Sequence, residues 1–259
     1  MSDSASKFPL LHEKVQKWVW EQKWPSLREI QELSIEPILS GECDVILSAS
    51  TASGKTEAAF LPAMSKLVEE SPVGVGILCL SPLKALINDQ FRRLESLGAS
   101  TGEPVTPWHG DISESLKKSF LKNPQGALLI TPESLESLLL NKGKWCQENL
   151  KNLQYFIIDE FHAFVGSERG RQLQSLLVRL DFLINRITPR IALSATLGDM
   201  ERIAYALRPH GGFPQKILES HSKTELKLEM RGYLKSLAKG APSETLRITD
   251  DLFKILRGK

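Results

Sequence analysis

Two short stretches of the sequence carry residue types that suit phosphate and metal chemistry. The first, SASTASGKTEAAFLP at residues 48–62, follows an apolar run and contains Gly54, Lys55 and Thr56 in succession. In the G-x-x-x-x-G-K-S/T pattern, backbone N–H groups surround phosphate oxygens, the lysine contacts the outer phosphates and the hydroxyl binds magnesium. Ala49 stands where the first glycine of that pattern belongs. The loop is therefore an incomplete match that needs support from elsewhere in the chain.

The second stretch, YFIIDEFH, ends an apolar run with Asp159 and Glu160. An aspartate in this position can hold magnesium, and the glutamate beside it can orient or deprotonate an attacking water. A strand-end acidic pair can also serve as a helix cap. The upstream loop with Lys55 favours the hydrolytic interpretation, because one triphosphate site would need both groups.

Helix and strand candidates alternate along most of the chain. Residues 8–39 have helical spacing, interrupted near Trp24. Further on, apolar runs predict strands covered on both faces, at Cys43 to Ala49, Val75 to Ser81, Ala127 to Thr131, Tyr155 to Asp159 and Arg190 to Ser194. Helices are predicted between and after them, at residues 55–68, 83–97, 113–121, 134–140, 172–187 and 200–207. This alternation predicts a doubly wound α/β sheet, in which ligands collect at the carboxyl ends of the strands.

Composition excludes several classes of protein. The 259 residues suit one large domain, or one domain with an appendage. A net charge of +2 is far from that of a densely basic nucleic-acid binder, so a polyanionic partner would need a local patch. Cys43, Cys79 and Cys146 are too few and too scattered for a disulfide framework or zinc ribbon. With no apolar run of about 18 residues and no signal-peptide layout, we expect a cytoplasmic protein without membrane contact.

Seven segments, read in order, resemble the first-domain motifs of superfamily 2 helicases, and most closely those of the Lhr-type DEAD/DEAH-box ATPases. They are LREIQ (27–31), ASTASGKTEAA (49–59), SPLKALINDQ (81–90), WHGDIS (108–113), LLITPESL (128–135), IIDEFHAF (157–164) and LSAT (193–196). The resemblance covers most of the chain. It departs at Ala52, where a loop glycine is frequent, and at Phe161, which makes the acidic box DEFH.

The resemblance implies a fold and a division of the chain. We expect an α/β fold, a RecA-like P-loop NTPase domain with a doubly wound, mostly parallel sheet, over residues 41–220. A short helical N-terminal extension, residues 1–40, would carry the adenine-contacting LREIQ segment. Residues 221–259 would form a truncated linker, with the alternating segment ELKLEMRGYL and a helix, leading to a second RecA-like domain absent from this chain. The chain is then interpreted as the amino-terminal part of a longer motor.

The resemblance also assigns the nucleotide site. Asp159 and Glu160 would run hydrolysis together with Lys55, and Thr56 and Asp159 would bind Mg²⁺. Gln31 would contact the adenine and so give a preference for ATP over other nucleotides. The loop residues that would contact ATP are Ala52, Ser53, Gly54, Lys55, Thr56 and Glu57. Gln31 can also be an ordinary helix-surface glutamine. Among Trp18, Trp20 and Trp24, one could pack on adenine, although packing within the protein is favoured for each.

Other strand ends would face nucleic acid. By the same resemblance, Ser81, Lys84, Gly110, Thr131 and Glu133 would line a track for one sugar-phosphate backbone, a mode of contact that positions a strand without reading its sequence. Each of them can instead cap a helix or form a turn. The resemblance also implies residues that couple the state of the bound nucleotide to the binding of nucleic acid, namely His162, Ser194 and Thr196. Each of them can instead simply satisfy local hydrogen bonds.

The function predicted from the sequence is therefore the ATP-binding half of a nucleic-acid-dependent ATPase and helicase that uses ATP and Mg²⁺. DNA is favoured over RNA by the Lhr resemblance alone, and an RNA helicase stays an alternative. A nucleotide-gated nucleic-acid-binding module without hydrolysis is the alternative from a different class.

Overall fold

The structure of the protein is a computed structural model that describes residues 6–50, 53–195, 200–220 and 244–257. The chain divides into two compact units, Met1–His221 and Ser222–Lys259. The first contains a seven-stranded sheet, and the described part of the second is one helix. The alternating segment predicted at residues 225–234 lies outside the described residues. No helix in the described ranges has the length and apolar character needed to cross a membrane.

A single parallel sheet runs through the first unit. In chain order its strands are β1 (Asp44–Ser48), β2 (Gly74–Leu80), β3 (Val105–Trp108), β4 (Gln125–Ile130), β5 (Tyr155–Ile158), β6 (Arg190–Ser194) and β7 (Gln215–Glu219). Their spatial order is β3-β4-β2-β5-β6-β1-β7, and every recorded pairing is parallel. The predicted doubly wound α/β sheet is confirmed.

Helices precede, connect and follow the strands. They are α1 (Glu13–Glu21), α2 (Glu29–Ser40), α3 (Lys55–Glu70), α4 (Lys84–Thr101), α5 (Glu114–Lys122), α6 (Pro132–Asn141), α7 (Gly143–Asn149), α8 (Glu168–Ile184), α9 (Met200–Leu207) and α10 (Glu244–Arg257). Two short 3₁₀ turns, Phe8–Leu10 and Phe161–Ala163, complete the described helical structure.

The sheet is covered on both faces, as the apolar strand sequences predict. Val45 and Leu47 of β1 pack into a core shared with α1 to α4. Ile46, between them, points the other way, into a core shared with α5 to α9. Side chains alternate across a strand, so a strand buried on both faces reads as continuously apolar.

Three elements, β3, β7 and α7, are absent from the predicted strands and helices. Strand β7 is mostly exposed, so it lacks the fully buried apolar run of the predicted strands. Strand β3 contains Pro107, which lacks a backbone N–H and is tolerated because β3 is an edge strand paired only with β4. Helix α7 spans only seven residues, Gly143–Asn149, too few to show a helical period. Elsewhere the differences are at helix ends: α8 ends at Ile184, where Asn185 adopts a left-handed conformation with φ 52°, instead of continuing to Ile187.

The parallel arrangement brings all carboxyl ends of the strands to one edge of the sheet. Ser48 of β1 pairs with Ser194 of β6, while Ile158 of β5 pairs with Ala192 of the same strand. The segments that follow β1, β2, β3, β4, β5 and β6 therefore leave the sheet on the same side. These segments contain most of the residues predicted to bind ligands.

A buried ion network ties the opposite, amino-terminal edge together. Asp44, at the start of β1, is fully buried and accepts hydrogen bonds from the backbone N–H of Arg190 (2.8 Å) and from Nε of Arg208 (2.7 Å). Arg190 begins β6, and its Nη2 donates to Oδ2 of Asp181 on α8 (2.9 Å). One carboxylate thus joins two adjacent strands to the segment after α9.

We expect Asp44→Ala to lower the free energy of unfolding by about 3–5 kcal/mol, because the buried guanidinium of Arg208 loses its hydrogen-bonded carboxylate and keeps only the more distant carboxylate of Asp181, at 3.6 Å. Urea denaturation followed by circular dichroism measures the change. The control is Glu148→Ala, which removes an exposed pair in which Oε1 lies 3.9 Å from Nζ of Lys144; the expected effect is below about 1 kcal/mol. Equal effects of the two variants would contradict the structural role given to Asp44.

Candidate nucleotide site

The incomplete lysine loop and the acidic pair meet at the carboxyl edge of the sheet. Lys55, Thr56, Asp159 and Glu160 line a common cavity of about 160 Å³, together with Ser53, Gly54, Leu86, Asp89, Gln90 and Arg93. Residues far apart in the sequence are therefore neighbours in the fold. Their convergence follows from the positions of β1 and β5, which are separated by β6 alone.

The described part of the loop has the geometry of a phosphate cradle. Gly54 has φ +85°, and a Cβ there would lie 2.5 Å from Nε2 of Gln31, so the turn requires glycine. Helix α3 begins at Lys55 with no side-chain cap, and such helix starts present N–H groups to anions. Among the described residues, the buried Oγ of Ser53 has no hydrogen-bond partner. These features fit a bound triphosphate; Ala52, also predicted to contact it, lies outside the described residues.

Lys55 is held against its own loop. Its Nζ donates to the backbone carbonyl oxygens of Ala49 (2.7 Å) and Ser50 (2.8 Å). Burial lowers the pKa of Lys55, while the charges of Glu160 and Asp159 act to raise it. The cation is thus already close to both carboxylates of the acidic pair.

Asp159 is a buried carboxylate at the end of β5, 8% exposed. Burial, followed by the charge of Glu160, raises the pKa of Asp159 to about 6. Its Oδ2 accepts a hydrogen bond from Nε2 of Gln90 (2.7 Å). Carboxylate and hydroxyl oxygens are the donors that Mg²⁺ prefers, and the cavity supplies both, from Asp159 and Thr56. No cluster of three or more His, Cys, Asp or Glu side chains suited to a metal occurs in the described ranges.

Glu160 has a left-handed backbone, with φ 47° and ψ 44°, and precedes the 3₁₀ turn Phe161–Ala163. For a residue other than glycine this conformation is uncommon and often marks a functional position. The side chain is 32% exposed, and its Oε2 lies 3.3 Å from Nδ1 of His162. Within the described residues, that nitrogen makes no hydrogen bond. Glu160 therefore reaches the cavity beside the more buried Asp159.

A second cavity, of about 510 Å³, adjoins the first. It shares Gly54 and Arg93 with the first cavity and is also lined by Trp24, Pro25, Ser26, Arg28, Gln31 and Glu57. Gln31 is buried; its Oε1 accepts from the backbone N–H of Arg28 (2.9 Å) and its Nε2 donates to the carbonyl of Gly54 (3.4 Å). Gln31 is therefore not an ordinary surface glutamine. The cavity's size and mixed lining suit a nucleotide base.

The three amino-terminal tryptophans differ in environment. Trp18 is buried and packs edge-on against Trp24 with ring centroids 5.6 Å apart. Trp20 is 83% exposed. Of the three, only Trp24 lines the larger cavity, so it is the tryptophan placed to contact a base if one binds there.

Among the cavity residues that the sequence analysis did not assign, two contact predicted site residues. Gln90 contacts Asp159, and Arg93 forms an ion pair with Glu57 through its Nη2. Both lie on α4, three residues apart and hence on one helix face. The signal available in the sequence was a pair of polar residues on the side of the helix that also carries the apolar Ile87 and Leu94.

The residues predicted to contact nucleic acid follow three neighbouring strands, but their environments differ. Ser81 is fully buried and its hydroxyl donates to Oε1 of Gln90 (3.0 Å), so its side chain is not available at the surface. Nζ of Lys84 donates to Oδ1 of Asp111 (2.9 Å) and lies 3.3 Å from where a Cβ of Gly110 would be.

The other predicted track residues lie after β4. Thr131 caps α6, since its Oγ1 accepts from the backbone N–H of Ser134 (3.2 Å). Glu133 accepts from Nε of Arg169 (2.9 Å). Of the predicted coupling residues, Ser194 is buried at the end of β6 and Thr196 lies outside the described residues.

Comparison with known proteins gives matches to helicases. The sequence profile of the DEAD/DEAH box helicase family matches residues 28–203. The ATP-dependent helicase Lhr-Core of Methanothermobacter thermautotrophicus is 34% identical over 220 residues, which are 79% of this chain and 25% of that relative. The chain thus spans about a quarter of the length of this relative.

Solved structures show the same likeness. The helicase Lhr of Mycobacterium smegmatis, bound to ssDNA and AMP-PNP, has a TM-score of 0.74 and 29% identity over 83% of this chain and 28% of its own. The DEAD-box helicase Mss116, bound to ssRNA and UDP-BeF, has a TM-score of 0.73 over 84% of this chain and 46% of its own. At 19% identity the second match shows the fold alone.

We expect Asp159→Asn to stabilise the protein in metal-free buffer at pH 8. The folded-state pKa of about 6 exceeds the ordinary value of 3.8, so the folded state binds the proton more tightly. The stability linked to that proton is present below about pH 4 and lost as the pH rises through 6, by an amount on the order of 2–3 kcal/mol at 1.36 kcal/mol per pKa unit. Thermal melts from pH 5 to pH 8 measure the gain, which should grow with pH.

The control for this prediction is Asp89→Asn, an exposed aspartate that lines the same cavity. Its effect should stay within about 0.5 kcal/mol at all pH values. A loss of stability in Asp159→Asn at pH 8 would contradict the claim that burial makes the ionised carboxylate of Asp159 unfavourable in the folded protein.

Proposed function

This chain belongs to the DEAD/DEAH box helicase family, and we propose that it is the ATP-binding domain of an Lhr-like helicase that uses ATP hydrolysis to translocate on or unwind nucleic acid. The observation that carries the proposal is the shared cavity of Lys55, Thr56, Asp159 and Glu160. A phosphate-binding loop and a hydrolytic acidic pair at one cavity are the parts that nucleotide hydrolysis needs.

Each residue receives one role. Lys55 neutralises phosphate charge, and the loop N–H groups and the Ser53 hydroxyl bind phosphate oxygens. Thr56 and Asp159 hold Mg²⁺, which offsets the charge of the phosphates when bound. Glu160 takes a proton from the attacking water. The base occupies the larger cavity beside Gln31 and Trp24, next to the ion pair of Glu57 and Arg93.

The proposed nucleic-acid partner lies along the same edge of the sheet, near Lys84, Gly110, Thr131 and Glu133. His162, Ser194 and Thr196 couple the two ligands. DNA is the proposed substrate, supported by the 29% identical Mycobacterium smegmatis helicase Lhr bound to ssDNA. Since the chain spans 25% of the Lhr-Core relative, a second RecA-like domain is proposed as a partner that completes the ATP site. The cytoplasmic location expected from the sequence stays a prediction.

We expect Lys55→Ala to weaken binding of Mg²⁺-ATP by about 10- to 100-fold, because a charge-assisted hydrogen bond to phosphate is worth about 1.5–3 kcal/mol. Titration with a fluorescent ATP analogue measures the dissociation constant. Lys66→Ala, on the same helix but paired with Glu70 at the surface, is the matched control and should bind like the unchanged protein. Unchanged affinity in Lys55→Ala would count against the nucleotide site.

We expect Glu160→Gln to retain ATP binding but to reduce turnover by about 10²- to 10⁴-fold, the contribution typical of a general base. Turnover is measured as phosphate release in a longer protein that includes the second RecA-like domain. Glu168→Gln, whose side chain is 94% exposed, should keep full turnover. If the unchanged longer protein binds ATP but does not hydrolyse it with either DNA or RNA present, the alternative function is correct: a nucleotide-gated module that binds nucleic acid without hydrolysis.

A further inference from the structure

Gln90 connects the candidate magnesium ligand to a different strand of the sheet. It is 3% exposed, and both ends of its amide are engaged. Nε2 donates to Oδ2 of Asp159 after β5 (2.7 Å), while Oε1 accepts from the hydroxyl of Ser81 after β2 (3.0 Å) and lies 3.7 Å from Sγ of Cys79. One side chain therefore spans the ends of two adjacent strands.

The chemistry of its partners determines the orientation of this amide. An ionised carboxylate only accepts hydrogen bonds, so the Gln90 group that faces Asp159 has to be the NH₂. The carbonyl then faces Ser81, whose hydroxyl can donate. With both ends satisfied, rotation of the amide would break a buried hydrogen bond, which costs about 1–3 kcal/mol. The bridge can therefore restrict the orientation of the Asp159 carboxylate.

Helix α4, which carries Gln90, also contacts the strand end after β3. Nζ of Lys84 donates a hydrogen bond to Oδ1 of Asp111, and Oδ1 of Asn88 lies 2.9 Å from Nε2 of His109. These two α4 residues are four apart and share a face of the helix. The same helix thus contacts the candidate nucleotide cavity through Gln90 and the segment at residues 109–111 through the other face.

We propose that Gln90 is a positioning residue that holds the carboxylate of Asp159 in the orientation needed for Mg²⁺ and links it, through Ser81, to the edge where nucleic acid is proposed to bind. The proposal rests on the proposed function, since it requires Asp159 to be the Mg²⁺ ligand. Gln90 itself does not contact the metal; it acts through Asp159, as hydrogen-bond partners of metal ligands commonly do.

The chain offers a closely matched control. Gln154, at the opposite end of β5, is also buried, 4% exposed, and its Nε2 donates to Oε2 of Glu70 at the same 2.7 Å. Gln90→Leu and Gln154→Leu therefore remove the same kind of hydrogen bond from a carboxylate. Only the first change is next to the candidate nucleotide cavity.

The test measures how strongly Mg²⁺ improves nucleotide binding. The dissociation constant of a fluorescent ATP analogue is determined in Mg²⁺ and in EDTA. The readout is the constant in EDTA divided by the constant in Mg²⁺, which is large when Mg²⁺ strengthens binding. Gln90→Leu should lower this ratio about tenfold, the smaller loss typical of such partners, with little change in EDTA. Gln154→Leu should keep the ratio of the unchanged protein. An unchanged ratio in Gln90→Leu, or equal weakening in Mg²⁺ and in EDTA, overturns the proposal.

Ser81→Ala supplies a second variant in case Gln90→Leu does not fold. It leaves Gln90 in place but frees its carbonyl end, and should lower the ratio by about threefold, less than a full hydrogen bond to a charged group would. An unchanged ratio in a folded Ser81→Ala would then overturn the proposal. If the unchanged protein fails to bind the analogue, or binds it equally well in Mg²⁺ and in EDTA, the proposed function fails and not the role of Gln90 alone.

Discussion

The parallel pairing of β1, β6 and β5 is the constraint from which the candidate site follows. A one-residue slip would exchange the two faces of a strand, and it would also shift Asp159 along the sheet relative to Lys55. In the observed register, Ser48 pairs with Ser194 and Ile158 pairs with Ala192 at the end of the strands that carries the site. At the other end of the same strands, Asp44 joins the starts of β1 and β6 through Arg190. The register of β1 and β6 is thus supported by a buried carboxylate at the amino-terminal edge.

The site placed by this register is not at its own energetic optimum. Asp159 and Glu160 are adjacent carboxylates, one of them buried, and the pKa of Asp159 is raised for that reason. Lys55 is desolvated and its ammonium is shared by two backbone carbonyls. A ligand that brings both negative phosphates and a cation would stabilise both groups, since the ammonium of Lys55 would gain a phosphate and the carboxylate of Asp159 would gain a cation. Marginal stability at such a site is the ordinary cost of preorganised charges.

Much of the architecture could be predicted because the strands are buried on both faces and read as apolar runs. The convergence of Lys55 and Asp159 also followed, since parallel strands share one carboxyl edge. Strand β3 could not be predicted, because Pro107 is a strand breaker except at an edge, and edge position is decided by the whole sheet. Gln90 could have been noticed as a polar residue on the apolar side of its helix, but its role could not be predicted, since nothing local to SPLKALINDQ says that its amide bridges two strand ends.

The same limitation explains the environments of the predicted nucleic-acid contacts. The resemblance to helicases assigned Lys84 and Glu133 to the nucleic-acid track but could not show that they pair with Asp111 and Arg169. A phosphate that reached this edge would compete with Asp111 for Lys84, and it would be repelled by Glu133 unless Arg169 shifted toward it. Both pairs are partly exposed, so each contributes little to stability and is weakened further by salt. A bound strand would therefore displace them at small cost, and binding at this edge would depend on these local charges and not on the net charge of +2.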